Sequence, residues 1–352
     1  MLQSLGLALA GCAGTPEAPS SRASVPLWPP PPELPRYRYE ATLRDASSVR
    51  DESEAAQMRR RVTGEDERLR GFGKPFAVAA RAGRVYVTDT EGRRVFVFDL
   101  PRRRTFSFGF RFEGELKKPA GLAIDGQGRV YVVDATARRV IVYDELGLYV
   151  GSIEGQRDWV RPTAVAVRPD GAQLAVVDTG GVDSGSHRLW FYGEQGRPDG
   201  QLGRRGSAPG EFNLPADACY GPDGRLWVLD AGNFRVQAFD AQRRFAGQFG
   251  SVGNGIGQFA RPRGLAVDGD GHVYVSDAMF CNVQVFDPEG RLLLTLGARA
   301  SSDAPGRYLL PAKLAVDEGR FVYVVDQFLH KVEVLRRLTD AEGRALLAPS
   351  AG

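Results

Sequence analysis

Six aspartates recur along the chain, Asp89, Asp134, Asp178, Asp230, Asp277 and Asp326, at an average interval of about 47 residues. Five residues after each stands Arg94, Arg139, Arg188, Arg235, Asn282 or Lys331, allowing for an insertion at residues 180–186 in the third case. A carboxylate beside a guanidinium could do acid–base work. One carboxylate at the same place in every repeat is what a turn demands, however, because it can accept the backbone N–H groups of a tight loop. The basic partners are then read in two ways: as internal partners of the aspartate or its loop, or as a ring of positive charge. A second set breaks the repeat. Two residues after a recurring proline the chain has Ala77, Gly121, Ala164, Asp217, Gly264 and Lys313, so only Asp217 and Lys313 carry charge, with Arg263 next door. These three are the best site candidate, either as a salt bridge or as a polar binding point.

Chemistry of this kind needs a scaffold, and the repeat describes one. The prolines at 75, 119, 162, 215, 262 and 311 open apolar runs, as in RPRGLAVDGDGHVYVSDAMFCNVQVFD (261–287). Each copy reads as four short strands: one after the proline, one ending at the aspartate, one following the basic residue, and one ending in glycine. The first two are nearly continuous in apolar residues, as expected when both faces of a sheet are covered. An all-β, six-bladed β-propeller follows, each blade covered by its neighbours.

The pattern G-x-x-G-x-F-x-x-P-x-G-L-A-V-D, then VYV-x-D, then N-x-R-V-x-x-F-D, resembles the NHL repeat, with residues 254–287 the nearest copy. The resemblance covers residues 68–337 and implies a TolB-like six-bladed propeller. Because strands alternate in direction, the loop before the first strand and the loop between the second and third emerge on one face, here called the top. Lys74, Lys118, Arg161 and Arg261 should share that face with the basic residues above, forming a surface able to steer an anionic partner. The insertion at residues 180–186 lengthens a loop on the same face.

A propeller must satisfy its last sheet edge. The sixth repeat runs out near residue 335, so Tyr37–Leu43, which alternates apolar and polar residues, is expected to supply the missing outer strand; residues 345–348 are the alternative. The domain is placed at 36–338, with the closing strand at 36–44, a charged insert at 45–66 expected to form a short surface helix, and a tail at 339–352. Residues 9–12, Leu-Ala-Gly-Cys, are similar to the lipobox of bacterial lipoproteins. That resemblance implies a signal segment at 1–11, lipidation at Cys12, a proline-rich tether at 12–35 and a periplasm-facing protein, with outer-membrane sorting favoured. Nothing after residue 12 approaches a membrane span in apolar length.

Cys219 and Cys281 remain; they fall at different levels of their blades, and a disulfide between them is the lesser expectation. Related six-bladed lyases of peptidyl-hydroxyglycine hold zinc with histidines, but His272 falls on the face opposite His187 and His330, so three-histidine convergence is not expected. Gluconolactonase-like propellers hold a divalent cation with acidic and amide groups, and one carboxylate beside a lysine is a poor cage for it. No catalytic set, metal site or cofactor is therefore expected. A net charge of +3 is modest. The functional expectation is a binding or assembly module for a protein or other polar, anionic periplasmic partner, attached to the membrane through Cys12 and without nucleic acid. The alternative is a channel-site hydrolase or lyase.

Overall fold

The structure, a computed structural model, describes residues 25–49, 71–155 and 158–348, together with Met58 and Val62. Each repeat folds into an antiparallel sheet whose strands follow one another in chain order from the axis outward. Blade five is typical, with Pro262–Val267 innermost, then Val273–Asp277, Asn282–Phe286 and Leu292–Leu296. The proline opens the innermost strand in every blade, where its missing N–H is not needed by the ladder, and it stands in register with the repeat aspartate.

The second strands are buried on both faces, as Arg84–Asp89 and Leu226–Asp230 show along their whole length. Among the described residues the core is divided into six layers, each lying between two neighbouring blades. One bulky side chain from the loop entering a blade seals each layer: Phe72, Leu116, Trp159, Phe212, Phe259 and Tyr308, none more than 6% exposed. The glycine ending the previous blade makes room for it. A Cβ on Gly203 or Gly250 would overlap the ring of Phe212 or Phe259, and both glycines have φ near +90° (+89° and +94°).

Tyr37–Leu43 pairs antiparallel with Lys331–Arg337, Tyr37 opposite Arg337 and Leu43 opposite Val332, and completes blade six. Residues 345–348 do not serve as the closing strand; Asp340–Leu347 is a helix capped by Thr339 and Glu342. The end of the proline-rich segment departs from the tether expectation. Leu27–Trp28 pairs with Tyr37–Arg38 as a fifth strand, and Trp28 packs on the layer between blades five and six. Two apolar residues with a sheet edge beside them find partners there. The lipobox with Cys12, and residues 13–24 of the segment, lie outside the described residues. Of the charged insert, Met58 and Val62 are helical and exposed, whereas Val49 is buried after a short helical turn, Ala46–Ser48.

Candidate functional site

The repeat aspartates, all fully buried, clamp the loop that enters their own blade. Asp277 accepts the N–H groups of Ala260 (2.8 Å) and Arg261 (2.9 Å), and its other oxygen those of Met279 and Phe280. Asp89 holds Lys74 N–H (2.8 Å), Asp134 holds Lys118 (3.1 Å), Asp178 holds Arg161 (2.7 Å), and Asp326 holds Leu309 and Leu310. Blade four varies the scheme. Asp230 takes Asn213 N–H, while the N–H of Leu214 goes to His187 Nδ1 (3.1 Å) of the neighbouring blade. Burial pushes the Asp230 carboxyl up, against the pull of its donors.

The clamps fix the backbone of four exposed cations. Lys74, Lys118, Arg161 and Arg261 all reach solvent beside the repeat prolines, and none makes an ion pair among the described residues. Of the larger set, Arg94, Arg235 and Lys331 are buried. Arg94 and Arg235 are buried against their own aspartates, Asp89 at 3.3 Å and Asp230 at 2.8 Å. Lys331 is 1% exposed and pairs with buried Glu333 at 2.6 Å, while also reaching Asp303. Arg139 donates to the Glu115 carbonyl, and Arg188 to Gln201 Oε1 while stacking on Trp190. Arg94, Arg235 and Lys331 turn inward from the strand position registered with the aspartate, whereas Arg139 and Arg188 stay half-exposed. Glu333, two residues after Lys331, was the available sequence signal for that lysine.

Innermost strands of all six blades surround an axial channel with a cavity of about 190 Å³. Its wall is mostly Ala, Val, Leu and Ile, and Asp217 and Lys313 face each other across it at 2.6 Å, 6% and 5% exposed. Asp217 also accepts Leu265 N–H (3.0 Å) and Ala218 N–H, and Lys313 donates to the Ala216 carbonyl (2.7 Å). Burial pushes the Asp217 carboxyl up and the Lys313 ammonium down, each opposed by the partner's charge. The pair is therefore a satisfied bridge tying blade four to blades five and six. Arg263 stands above it at the top mouth and donates to Gln327 Oε1 (3.0 Å). Cys219 lines the cavity; burial raises its thiol pKa well above the ordinary value, so it is a poor nucleophile.

The NHL repeat family model matches residues 212–239 and 259–286, the entry loops and first three strands of blades four and five. The other four blades repeat the same proline, clamp and sealing side chain. Blades four and five are thus NHL repeats, set in a six-bladed propeller. No curated protein matches it. Solved structures share its fold: virginiamycin B lyase from Staphylococcus aureus is 10% identical over 86% of this chain and 100% of that one, with a TM-score of 0.56. A gluconolactonase from Xanthomonas campestris is 19% identical over 76% and 87% of the two chains (TM-score 0.54), and Kuenenia stuttgartiensis hydrazine synthase 18% identical over 74% and 83% (TM-score 0.54). At these identities the likeness concerns the fold alone.

Histidines in the propeller are spread out rather than convergent. His187 is fully buried and accepts Leu214 N–H while its Nε2 meets the Gly181 carbonyl; with Ser186 Oγ on Asp178, it orders the blade-three insertion. His330 Nδ1 meets the Phe72 carbonyl. His272, in a turn on the opposite face, lies with Asp268 and Asp270 close enough for shared ligation of a cation. The Arg337 guanidinium already fills that position, 2.8 Å from His272 Nδ1 and paired with Asp270. Burial works against ionisation of Asp268, yet the His272 hydrogen bond and the Arg337 charge hold its carboxyl below the usual range. The trio is a structural ion cluster at the closure of blade six. Cys219 and Cys281 are both free thiols, and no disulfide joins them.

Proposed function

We propose that this propeller is a binding module, lipid-anchored at Cys12 and facing the periplasm, that receives a protein or other polar, anionic partner on its top face. The observation that supports this reading is the set of four exposed cations, Lys74, Lys118, Arg161 and Arg261, without an ion pair among the described residues and each held beside a repeat proline by a buried aspartate. Rigid presentation matters because an anchored charge does not lose backbone freedom on binding. Exposed charges of one sign speed encounter and select against like-charged competitors more than they add affinity. Asp217, the only carboxylate in the channel wall among the described residues, is already neutralised by Lys313, which favours a binding role over a hydrolase or lyase acting in the channel.

Charge reversal tests the reading. Lys74→Glu/Lys118→Glu/Arg161→Glu should reduce co-purification of the partner from membranes about tenfold or more and flatten its salt dependence, with melting unchanged. Arg225→Glu/Arg244→Glu, in turns on the opposite face, should leave it intact. In the same fractionation Cys12→Ala should move the protein to the soluble fraction. Equal losses from the two faces, or a stoichiometric metal whose removal abolishes a hydrolytic activity, would overturn the proposal in favour of the channel enzyme.

A further inference from the structure

The sixfold repeat supplies its own control for one unusual residue. Directly after the repeat prolines, where the innermost strand begins at the top of the channel, the chain has Phe76, Ala120, Thr163, Ala216, Arg263 and Ala312. Only blade five places a charge there. Arg263 is half-buried, its one hydrogen bond runs to Gln327 Oε1 at 3.0 Å, and no carboxylate pairs with it among the described residues. Gln327 is itself buried, and it is the longest side chain at its repeat position, where the other blades have Thr90, Ala135, Thr179, Ala231 and Ala278. One anomalous side chain therefore holds the other.

The surroundings make the charge costlier. Lys313 lies beneath it, already neutralised by Asp217 at 2.6 Å, and exposed Arg261 lies beside it, so this mouth carries two buried or half-buried cations against one carboxylate. Burial and Arg261 together push the guanidinium pKa down. A guanidinium offers five N–H donors in a planar fork, and four of these have no protein acceptor among the described residues. The guanidinium is half-buried, and none of its nitrogens is both buried and unpaired among the described residues, so its remaining donors open to solvent at the mouth, where a ligand can take them.

We propose that Arg263 anchors an oxyanion site at the top mouth of the channel, and that its ligand is a carboxylate presented by the partner and received by the guanidinium fork. The site rests on the reading of the top face as the contact surface: Lys74, Lys118, Arg161 and Arg261 attract, and Arg263 fixes one group in register. Gln327 orients the fork, which suits the planar, two-oxygen edge of a carboxylate.

Calorimetric titration of the full chain with N-acetylglycine, its neutral amide and methyl phosphate tests the site. N-Acetylglycine should bind saturably and the amide should not. Arg263→Gln should weaken N-acetylglycine by about tenfold or more, Arg263→Lys by less, since charge survives but the fork is lost. Without ligand, Arg263→Gln should melt close to the wild type, because no ion pair is being removed and the half-exposed site lets water replace the bond to Gln327. The proposal is overturned if the wild type does not distinguish acid from amide, if Arg263→Gln binds unchanged, or if that variant is destabilised in buffer alone. Tighter binding of methyl phosphate than of N-acetylglycine overturns the carboxylate assignment. Unchanged N-acetylglycine binding by Arg263→Gln, with partner release still caused by reversal at Lys74, Lys118 and Arg161, would sink the mouth site while leaving the face intact.

Discussion

Removing either half of the channel bridge should destabilise the propeller, with opposite dependence on pH. In Asp217→Leu the Lys313 ammonium is left in the channel wall, 5% exposed, with only the Ala216 carbonyl as partner. It can shed its proton instead. Neutralising a lysine of ordinary pKa near 10.4 at pH 7 costs about 4.6 kcal/mol, which caps the charge penalty and agrees with the roughly 3–5 kcal/mol typical of a broken buried pair. Lys313→Met strands Asp217, which can take up a proton, and the corresponding cap is about 4.2 kcal/mol. The signs then diverge. An orphan lysine has a folded pKa below its unfolded one, so the unfolded state binds more protons and stability recovers as pH rises, by about 1.4 kcal/mol per pH unit. An orphan aspartate has a folded pKa above its unfolded one, so stability recovers as pH falls. Asp217→Leu/Lys313→Met removes both charges and should lose only the backbone partners of the pair, the Leu265 and Ala218 N–H groups and the Ala216 carbonyl, at about 1–3 kcal/mol for each group left unpaired, less than the two single losses together. Urea denaturation at pH 5, 7 and 9 measures all three. Parallel pH profiles for the single variants, or an additive double variant, would refute the bridge as described.

Truncation should separate the roles of the N-terminal segments. Deleting residues 1–24 should leave melting unchanged; deleting 1–34 should cost about 1–2 kcal/mol through lost burial of Trp28; deleting 1–44 should open the edge of Lys331–Arg337 and produce aggregation, read by light scattering. Equal behaviour of the last two would contradict the closure. Replacing the blade-five clamp, Asp277→Ala, should cost about 2–4 kcal/mol by orphaning the loop N–H groups it accepts, and should weaken partner binding through Arg261; Asp277→Asn should recover part of the stability. Unchanged denaturation midpoints would remove the aspartates from the loop-holding role.

The architecture was legible because each blade writes its own boundaries. The proline must open a strand whose N–H is not used, and the buried aspartate must close the next, so spacing alone located both. Tyr37–Leu43 was legible as the closing strand from its alternation and from the missing strand at the other end. Side-chain direction was not. Arg94, Arg235 and Lys331 occupy the same repeat positions that suggested a surface ring, but a long cationic side chain can lie along its blade or leave it. The choice is made by acceptors distant in sequence, such as the Ala208 and Glu211 carbonyls that receive Arg235. The docking of Leu27–Trp28 was hidden by the prolines around it, whose composition suggests an extended spacer whatever the two apolar residues touch. Asp217, Lys313 and Arg263 stood out as departures from the repeat, and the bridge between the first two was one of the readings their sequence allowed.

Closure by a strand that precedes all six repeats also sets a clock. Leu43 leaves the ribosome long before its partner Val332, and at about 5–20 residues per second the interval is roughly 15–60 s. For that time Tyr37–Leu43 has no completed blade to join, and the growing ring has two open edges. Five layers can be laid down one after another, yet the sixth, between blades six and one, forms only after the last repeat has been made. An early release of the chain would therefore yield not a smaller propeller but an open one with an adhesive rim, so survival of the nascent protein depends on its edges being kept apart until blade six arrives.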